Sequence, residues 1–278
     1  MKAVAPDALT PDIEHICIQG IPFDANSTFR RGPAQAPARI RESYFSDSAN
    51  LWSEQNLDLA GLDHLVDTGD VNCHGDPLGA IRKATALLLK QNARVISLGG
   101  DHSITLPLIQ AHAPLYPELT ILHLDAHPDL YDSLDNNPFS HACPFARIME
   151  EFPHIKLIQG GIRTINGHQR EQAERFNVRV LEMKNGMDPL MNLDISGPVY
   201  LSLDLDCLDP AFAPGVSHHE PGGLSTRQVI DLIHTLSGQL IGADIVEYNP
   251  DRDFISVTGM VAAKLLKEII AKIQLTNW

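Results

Sequence analysis

Cysteine and long apolar runs are both scarce in this 278-residue sequence. Its four cysteines form no CxxC pair and no dense spacing, which is typical of reduced thiols in a cytosolic protein; Cys143 and Cys207 lie close to the motifs described below. No run approaches the ~20 apolar residues that a membrane-spanning helix needs, and the first apolar stretch, 16–23, is interrupted by Gly20 and Pro22. We therefore expect a cytoplasmic protein with neither a secretory signal nor a membrane segment.

Positive charge is also scarce, since 21 Lys and Arg residues face 35 Asp and Glu residues, for a net charge of −14. This excess of negative charge disfavours nucleic acid and anionic membranes as partners, because both carry negative charge themselves. It is compatible with a small cationic substrate.

Linkers and repeats are absent from the sequence: no Ser/Gly-rich stretch or charge block divides it, and we predict one α/β domain over 1–278. Short apolar runs alternate with helical patterns. This alternation favours a three-layer sandwich, with a central, mostly parallel sheet of about eight strands and helices on both faces. The predicted strands are 13–19, 65–68, 93–98, 120–124, 155–159, 179–181, 199–203 and 240–246, and the predicted helices are 36–44, 77–91, 104–113, 167–176, 226–236 and 257–273.

Three polar motifs follow directly after predicted strands. Gly-Gly-Asp-His-Ser occupies 99–103, Asp-Ala-His-Pro-Asp occupies 125–129, and Asp-Leu-Asp occupies 204–206. Ligands of open α/β sheets bind at the carboxyl ends of the strands, so the three motifs are predicted to share one site. Residues two apart in an extended segment point to the same side, so the acidic and histidine side chains of the second motif converge if its strand continues through them.

The residue types in these motifs indicate a pair of metal ions. Four clustered carboxylates repel one another, and two divalent cations neutralise them. An oxygen-rich set with two imidazoles suits Mn²⁺, with Fe²⁺, Co²⁺, Ni²⁺ and Zn²⁺ as alternatives. Two such ions ~3.5–4 Å apart generate hydroxide from a bridging water at neutral pH, which indicates a hydrolase. The predicted ligands are His102, Asp125, His127, Asp129, Asp204 and Asp206, and His123 is interpreted as a core or supporting residue.

The three motifs resemble the signatures of the ureohydrolase family, which comprises arginases, agmatinases and related guanidino or formimino hydrolases. The resemblance runs from about residue 18 to the C-terminus and includes 31–33, 211–223 and 242–250. Segments 140–150 and 210–218 are most similar to the plant-type arginase branch. The resemblance implies an arginase-like fold and a homo-oligomer, a trimer or a hexamer.

The resemblance also implies roles for individual residues. The six predicted ligands match those of a two-Mn²⁺ centre in which Asp125 and Asp206 bridge the metals or bind through more than one contact. Glu247 matches the carboxylate that binds the guanidinium, and a planar guanidinium suits bidentate binding by a carboxylate. His141 matches the histidine proposed to shuttle protons, and the leaving amine needs such a group near neutrality. His141, Glu247 and Asp129 are therefore the predicted catalytic residues.

The substrate is less sharply defined than the reaction, which releases urea and an amine from a guanidino compound. Asn136 and Asn137 lie between the second motif and His141 and are predicted to bind a substrate carboxylate through neutral donors. Asp132 and Asp135 in the same segment instead favour an amine. Arginine, giving ornithine, is slightly favoured over agmatine, giving putrescine.

Other classes of function remain open at this point. Another guanidino or formimino hydrolase fits the same ligand set. A zinc deacetylase of similar fold needs one metal, whereas six ligands indicate two. A non-catalytic metal or amino-acid sensor is the third alternative, and turnover separates it from an enzyme.

Overall fold

The computed structural model describes residues 1–276, and its centre is a nine-stranded sheet. All pairings between neighbouring strands within these residues are parallel, which confirms the predicted mostly parallel sheet. The strand that sequence analysis missed is the two-residue edge strand Lys2–Ala3. The strands are β1 Lys2–Ala3, β2 His15–Gly20, β3 Leu65–Asp70, β4 Ala93–Leu98, β5 Thr120–Leu124, β6 Lys156–Ile162, β7 Arg179–Glu182, β8 Pro198–Asp204 and β9 Gln239–Val246.

Helices cover both faces of the sheet, as predicted. Helices α1, α7 and α8 pack together on one face, and α2, α3 and α4 pack together on the other. The helices are α1 Ala36–Tyr44, α2 Pro77–Lys90, α3 Thr105–His112, α4 Pro144–Glu151, α5 Gly167–Arg175, α6 Asp188–Met191, α7 Thr226–Thr235 and α8 Val257–Leu275. No helix within 1–276 is long and apolar enough to cross a membrane.

Apolar residues on both sides of each central strand explain the continuous apolar runs in the sequence. In β5, Leu122 and Leu124 belong to the core beneath α1, α7 and α8, whereas Ile121 belongs to the core beneath α2, α3 and α4. A strand that buries both faces shows no alternation of apolar and polar residues. This burial accounts for the accuracy of the strand predictions.

Two helices were absent from the sequence predictions. Helix α4 is amphipathic, with Phe145, Ile148 and Met149 buried on one side, but it spans only eight residues. Helix α6 has four residues. Four residues are about one turn, too few for a periodicity to appear in the sequence.

The strand order β1-β3-β2-β4-β9-β8-β5-β6-β7 places the polar motifs side by side. After β4 the chain crosses to β5 and leaves a gap of two strands, which β8 and β9 fill later. Such a reversal of strand order opens a crevice at the carboxyl ends of the strands. The ends of β4, β9, β8 and β5 line this crevice, and each of them carries part of the predicted site.

Candidate active site

The ends of β4 and β9 approach each other closely at Gly99 and Gly100. The Gly99 N–H donates to the Ile245 carbonyl at 2.8 Å, and the Glu247 N–H donates to the Gly100 carbonyl at 2.9 Å. A Cβ atom on Gly100 would lie 1.8 Å from the main-chain oxygen of Phe23, which no side chain tolerates. The two glycines therefore let three chain segments meet where the site is built.

Gly100→Ala is expected to lower the free energy of unfolding by about 3 kcal/mol, at the upper end for overpacking, because the clash is with main chain. Urea unfolding followed by circular dichroism measures this loss. Gly61→Ala is the matched control, since a Cβ there meets open space. Equal stabilities of the two variants would show that Phe23 and Gly100 are not in close contact.

The first cluster surrounds the Nδ1 atom of His102. This buried nitrogen lies 3.1 Å from a carboxylate oxygen of Asp125, 3.1 Å from one of Asp129 and 3.2 Å from one of Asp204, and it has no hydrogen-bond partner. The donor set is therefore one nitrogen with a carboxylate oxygen of each of three residues within 3.2 Å of it. We call these four residues the first cluster.

The second cluster surrounds the Nδ1 atom of His127. This atom lies 3.3 Å from Oδ1 of Asp125 and 3.1 Å from Oδ2 of Asp206. Asp125 thus turns Oδ2 toward the first cluster and Oδ1 toward this one. Asp125, His127 and Asp206 form the second cluster, and the shared carboxylate places the two centres next to each other.

The route to this convergence differs from the one that sequence analysis assumed. Strand β5 ends at Leu124, so the second motif does not continue it as an extended segment. Asp129 reaches the first cluster through a left-handed backbone, with φ +49°. Asp206 reaches the second cluster from a short 3₁₀ turn after β8. All six predicted ligands meet, but loop geometry brings them together rather than strand alternation.

The electrostatics of both clusters fit divalent cations. Burial raises the pKa of Asp204 and Asp206, and the charge of Asp125 raises both further. Burial disfavours a charge on His102, but three carboxylates outweigh it and hold its pKa well above the usual value. Both effects show that positive charge is favoured at the cluster centres, and a nitrogen with carboxylate oxygens is a suitable donor set for Mn²⁺ and similar ions.

A relay behind His102 fixes which of its nitrogens faces the cluster. Ser202 Oγ donates to Asp244 Oδ1 at 2.8 Å, so it accepts the hydrogen bond from His102 Nε2 at 3.0 Å. The Nε2 atom therefore carries a proton, and Nδ1 is the nitrogen that faces the carboxylates of the cluster. This arrangement is typical of metal-binding histidines.

His123 supports the site from the core, as sequence analysis predicted. Its Nε2 lies 2.9 Å from Asp125 Oδ2, and Gln159 Nε2 donates to its Nδ1 at 3.0 Å. Both ring nitrogens thus have protein partners. Although His123, His102 and Asp125 are close enough to hold an ion together, His123 has no free nitrogen for one.

Glu247 lies at the end of β9 with one carboxylate oxygen bound and one free. Its Oε1 accepts hydrogen bonds from the His102 N–H at 2.9 Å and from His141 Nδ1 at 2.8 Å. Its Oε2 is buried without a partner. Burial favours the neutral acid, but His141 outweighs it and holds the pKa of Glu247 below its usual value. The backbone has φ +62°, a strained conformation that is common in functional sites.

His141 lies between Glu247 and the loop that carries Thr28. Its Nε2 is 2.9 Å from Thr28 Oγ1. Burial disfavours the imidazolium, but the Glu247 carboxylate outweighs it and raises the pKa of His141 to about 9. The ring therefore holds a proton at neutral pH.

A cavity of about 140 Å³ opens onto both clusters, Glu247 and His141. Its wall includes residues to which sequence analysis assigned no role: Thr28, Tyr131, Leu134, Ala142, Thr164, Gln169 and His218. His218 lay in a segment that carried the resemblance, and its ring centroid is 5.4 Å from that of His141. Ala142 also lies in such a segment, 140–150. No motif of the sequence analysis includes the others, which come from separate parts of the chain.

The two predicted asparagines do not line this cavity. Asn136 is exposed and has φ +61° in a tight turn. The Asn137 amide donates to Asn26 Oδ1 at 3.1 Å and accepts from the Phe139 N–H at 2.9 Å. The structure thus places Asn137 as a brace between two loops beside the cavity.

The fold and the paired clusters define a class of protein: a binuclear metal-dependent hydrolase built on a parallel α/β sheet. Comparison with known proteins gives the family. The model of the arginase family matches residues 14–271. The chain belongs to this family and is a ureohydrolase, an enzyme that cleaves C–N bonds of guanidino compounds. The predicted family and fold are confirmed, and the zinc-deacetylase alternative is no longer supported.

Individual relatives refine this placement. The mitochondrial arginase 1 of Arabidopsis thaliana is 46% identical over 272 residues, which cover 91% of this chain and 80% of the relative. The agmatinase of Bacillus cereus is 30% identical over 267 residues, which cover 92% of this chain and 90% of the agmatinase. The solved structure of Medicago truncatula arginase has a TM-score of 0.87 at 39% identity and covers 94% of this chain and 87% of its own. Plant arginases are thus nearer to this chain than the agmatinase.

Proposed function

We propose that this enzyme hydrolyses arginine to ornithine and urea with two Mn²⁺ ions. The observation that supports this function best is the buried, unpartnered Oε2 of Glu247, a residue that lines the cavity beside two clusters of metal-ligand type. A guanidinium is a planar cation that requires such an acceptor. His102, Asp129 and Asp204 would hold one ion and His127 and Asp206 the other, and Asp125 would serve both, since its two oxygens face different clusters.

The residues of the chain bind the substrate and move its protons. Glu247 accepts hydrogen bonds from the guanidinium through Oε2 and so fixes the position of its carbon. The metals, when bound, activate the water that attacks this carbon. The C–N bond to the substrate chain then breaks, the water oxygen stays in urea, and both water protons end on the leaving amine. His141, which is protonated at neutral pH, donates one proton to the amine and regains one from the attacking water.

Arginine is preferred over agmatine because the chain is more similar to plant arginases than to the agmatinase. Among residues 1–276 the cavity wall includes no Lys or Arg, and a substrate carboxylate would meet neutral donors there, among them Thr28, Thr164 and Gln169. Urea release by Mn²⁺-loaded protein, with arginine and agmatine assayed side by side, tests the proposal. Faster turnover of agmatine would reassign the substrate, and no urea from either would favour the other guanidino or formimino compounds or a sensor.

His141→Ala is expected to lower kcat about 100-fold and to leave the metal content unchanged, because general acids typically contribute this much. Steady-state kinetics with arginine and elemental analysis measure the two quantities. Added imidazole should restore part of kcat by filling the vacated space. His154→Ala is the control, since His154 is exposed and does not line the cavity. An unchanged kcat in His141→Ala would show that another group supplies the proton.

Assembly and location are part of the same proposal. We expect a homo-oligomer of three or six chains, which analytical ultracentrifugation measures directly. The cytoplasmic location expected from the cysteine content stays a prediction, since the Arabidopsis relative is described as mitochondrial. Fluorescence microscopy of the tagged full-length protein decides between the two compartments.

A further inference from the structure

Arg163, the residue after β6, binds main-chain carbonyl groups beside the second cluster. Its guanidinium donates to the carbonyl oxygens of Asp206 at 2.6 Å, Cys207 at 3.2 Å and Leu208 at 3.2 Å. It also donates to the carbonyl oxygen of Glu220 at 2.7 Å. A single side chain therefore fixes the turn that carries Asp206 and connects it to the loop that forms part of the cavity wall.

The main chain of the same residue holds the other half of the second cluster. The N–H groups of Arg163 and Thr164 both donate to the Ala126 carbonyl, at 2.9 and 3.1 Å. The Ala126 N–H in turn donates to Asp206 Oδ1 at 3.1 Å. Ala126 lies between Asp125 and His127. Arg163 therefore binds Asp206 directly and is linked to Asp125 and His127 through Ala126.

Two glycines leave the room that this arrangement needs. Gly161 has φ +86°, and a Cβ atom there would lie 2.9 Å from the Asp125 carbonyl oxygen. A Cβ atom on Gly223 would lie 2.7 Å from Nη2 of Arg163. Gly223 thus leaves room for the guanidinium, and Gly161 leaves room for the main chain of Asp125 beside the same cluster.

The first cluster is fixed by other contacts. The Ser202 and Asp244 relay orients His102. The Phe145 N–H, at the start of α4, donates to the Asp129 carbonyl at 3.3 Å. Arg163 thus contacts Asp206 of the second cluster directly and reaches His127 through the neighbouring Ala126. Its hydrogen bonds within 1–276 include none to His102, Asp129 or Asp204, the residues that only the first cluster uses.

From this asymmetry we infer that Arg163 is a positioning residue for the second metal centre. It acts through the main chain of Asp206 and Ala126 and does not touch the substrate. Lysine is a poor replacement, because an ammonium has three donors and no planar fork for the carbonyls that the guanidinium binds. The inference rests on the proposed ligand roles of the six site residues.

Mn²⁺ binding by Arg163→Met, Arg163→Lys and the parent protein tests this inference. The probe is Mn²⁺ alone, titrated by calorimetry into metal-free full-length protein, with bound metal counted after gel filtration. Arg163→Met is expected to retain about one ion where the parent retains two, with the weaker Kd raised about 10- to 100-fold and the tighter one nearly unchanged, as for other residues that support metal ligands. Arg163→Lys is expected to fall between them.

Arg170→Met is the matched control, since it removes an arginine that pairs with Glu182 on the surface. It is expected to bind two ions with parental affinities. Thermal unfolding of the metal-free variants separates positioning from general stability. Parental affinities at both centres in Arg163→Met, or parallel loss of both centres, would overturn the inference. A parent that binds two ions but releases no urea would refute the proposed function and leave the inference standing.

Discussion

Replacing Asp125 with alanine is expected to remove both metals and to reduce urea release to background. The reason is that its two oxygens serve different clusters: Oδ2 lies 3.1 Å from His102 Nδ1, and Oδ1 lies 3.3 Å from His127 Nδ1. The substitution also removes the partner of His123 Nε2. Elemental analysis of the Mn²⁺-loaded variant and a urea assay with arginine measure the two losses.

The control for this substitution is Asp231→Ala, which removes a partly exposed carboxylate on α7 that pairs with Arg227. Exposed pairs contribute less than about 1 kcal/mol, so metal content and rate should match the parent. Comparison with Asp206→Ala sharpens the test, because Asp206 faces only the second cluster. Two bound ions and a normal rate in Asp125→Ala would refute the bridging role.

Much of the fold was predictable because its strands are buried on both faces. Strands β4 and β5 begin and end at the predicted residues, since their apolar runs stop abruptly at polar motifs. The edge strand β1 was not predictable, because two residues that pair with β3 at Val66 and Asp67 have no pattern of their own. Periodicity reports only elements that are long enough to repeat.

The chemistry of the site was predictable to the extent that it lies at strand ends. His102 lies shortly after β4, Asp204 is the last residue of β8, and Glu247 directly follows β9. Their meeting is therefore a consequence of sheet topology. The contacts of Thr28 and Arg163 were not predictable, because they arise where loops from distant parts of the chain fold together. The free oxygen of Glu247 likewise appears only once its neighbours are in place.

The other large effect is expected at Glu247, where a substitution should separate substrate binding from metal binding. Glu247→Gln keeps the size of the side chain and the acceptor for the His102 N–H. It removes the negative charge that a guanidinium needs. Because the carboxylate lies outside both clusters, metal content should stay at two ions per chain. Losing one partner of a buried charge pair costs about 3–5 kcal/mol, which lowers kcat/KM roughly 10²- to 10⁴-fold.

Glutamine is a better probe than a smaller residue, because it keeps the size of the side chain. Glu247 has a strained left-handed backbone, and a substitution that also changed the packing there would be harder to interpret. The amide resembles the carboxylate in shape but turns an N–H donor toward the guanidinium donors or toward His141 Nδ1, and either contact is repulsive. The loss should therefore include a higher KM for arginine as well as a lower kcat. Steady-state kinetics on variant and parent, each shown to hold two Mn²⁺ ions, measure both. Full activity in Glu247→Gln would mean that a different acceptor binds the guanidinium, and the cavity wall would then have to supply it.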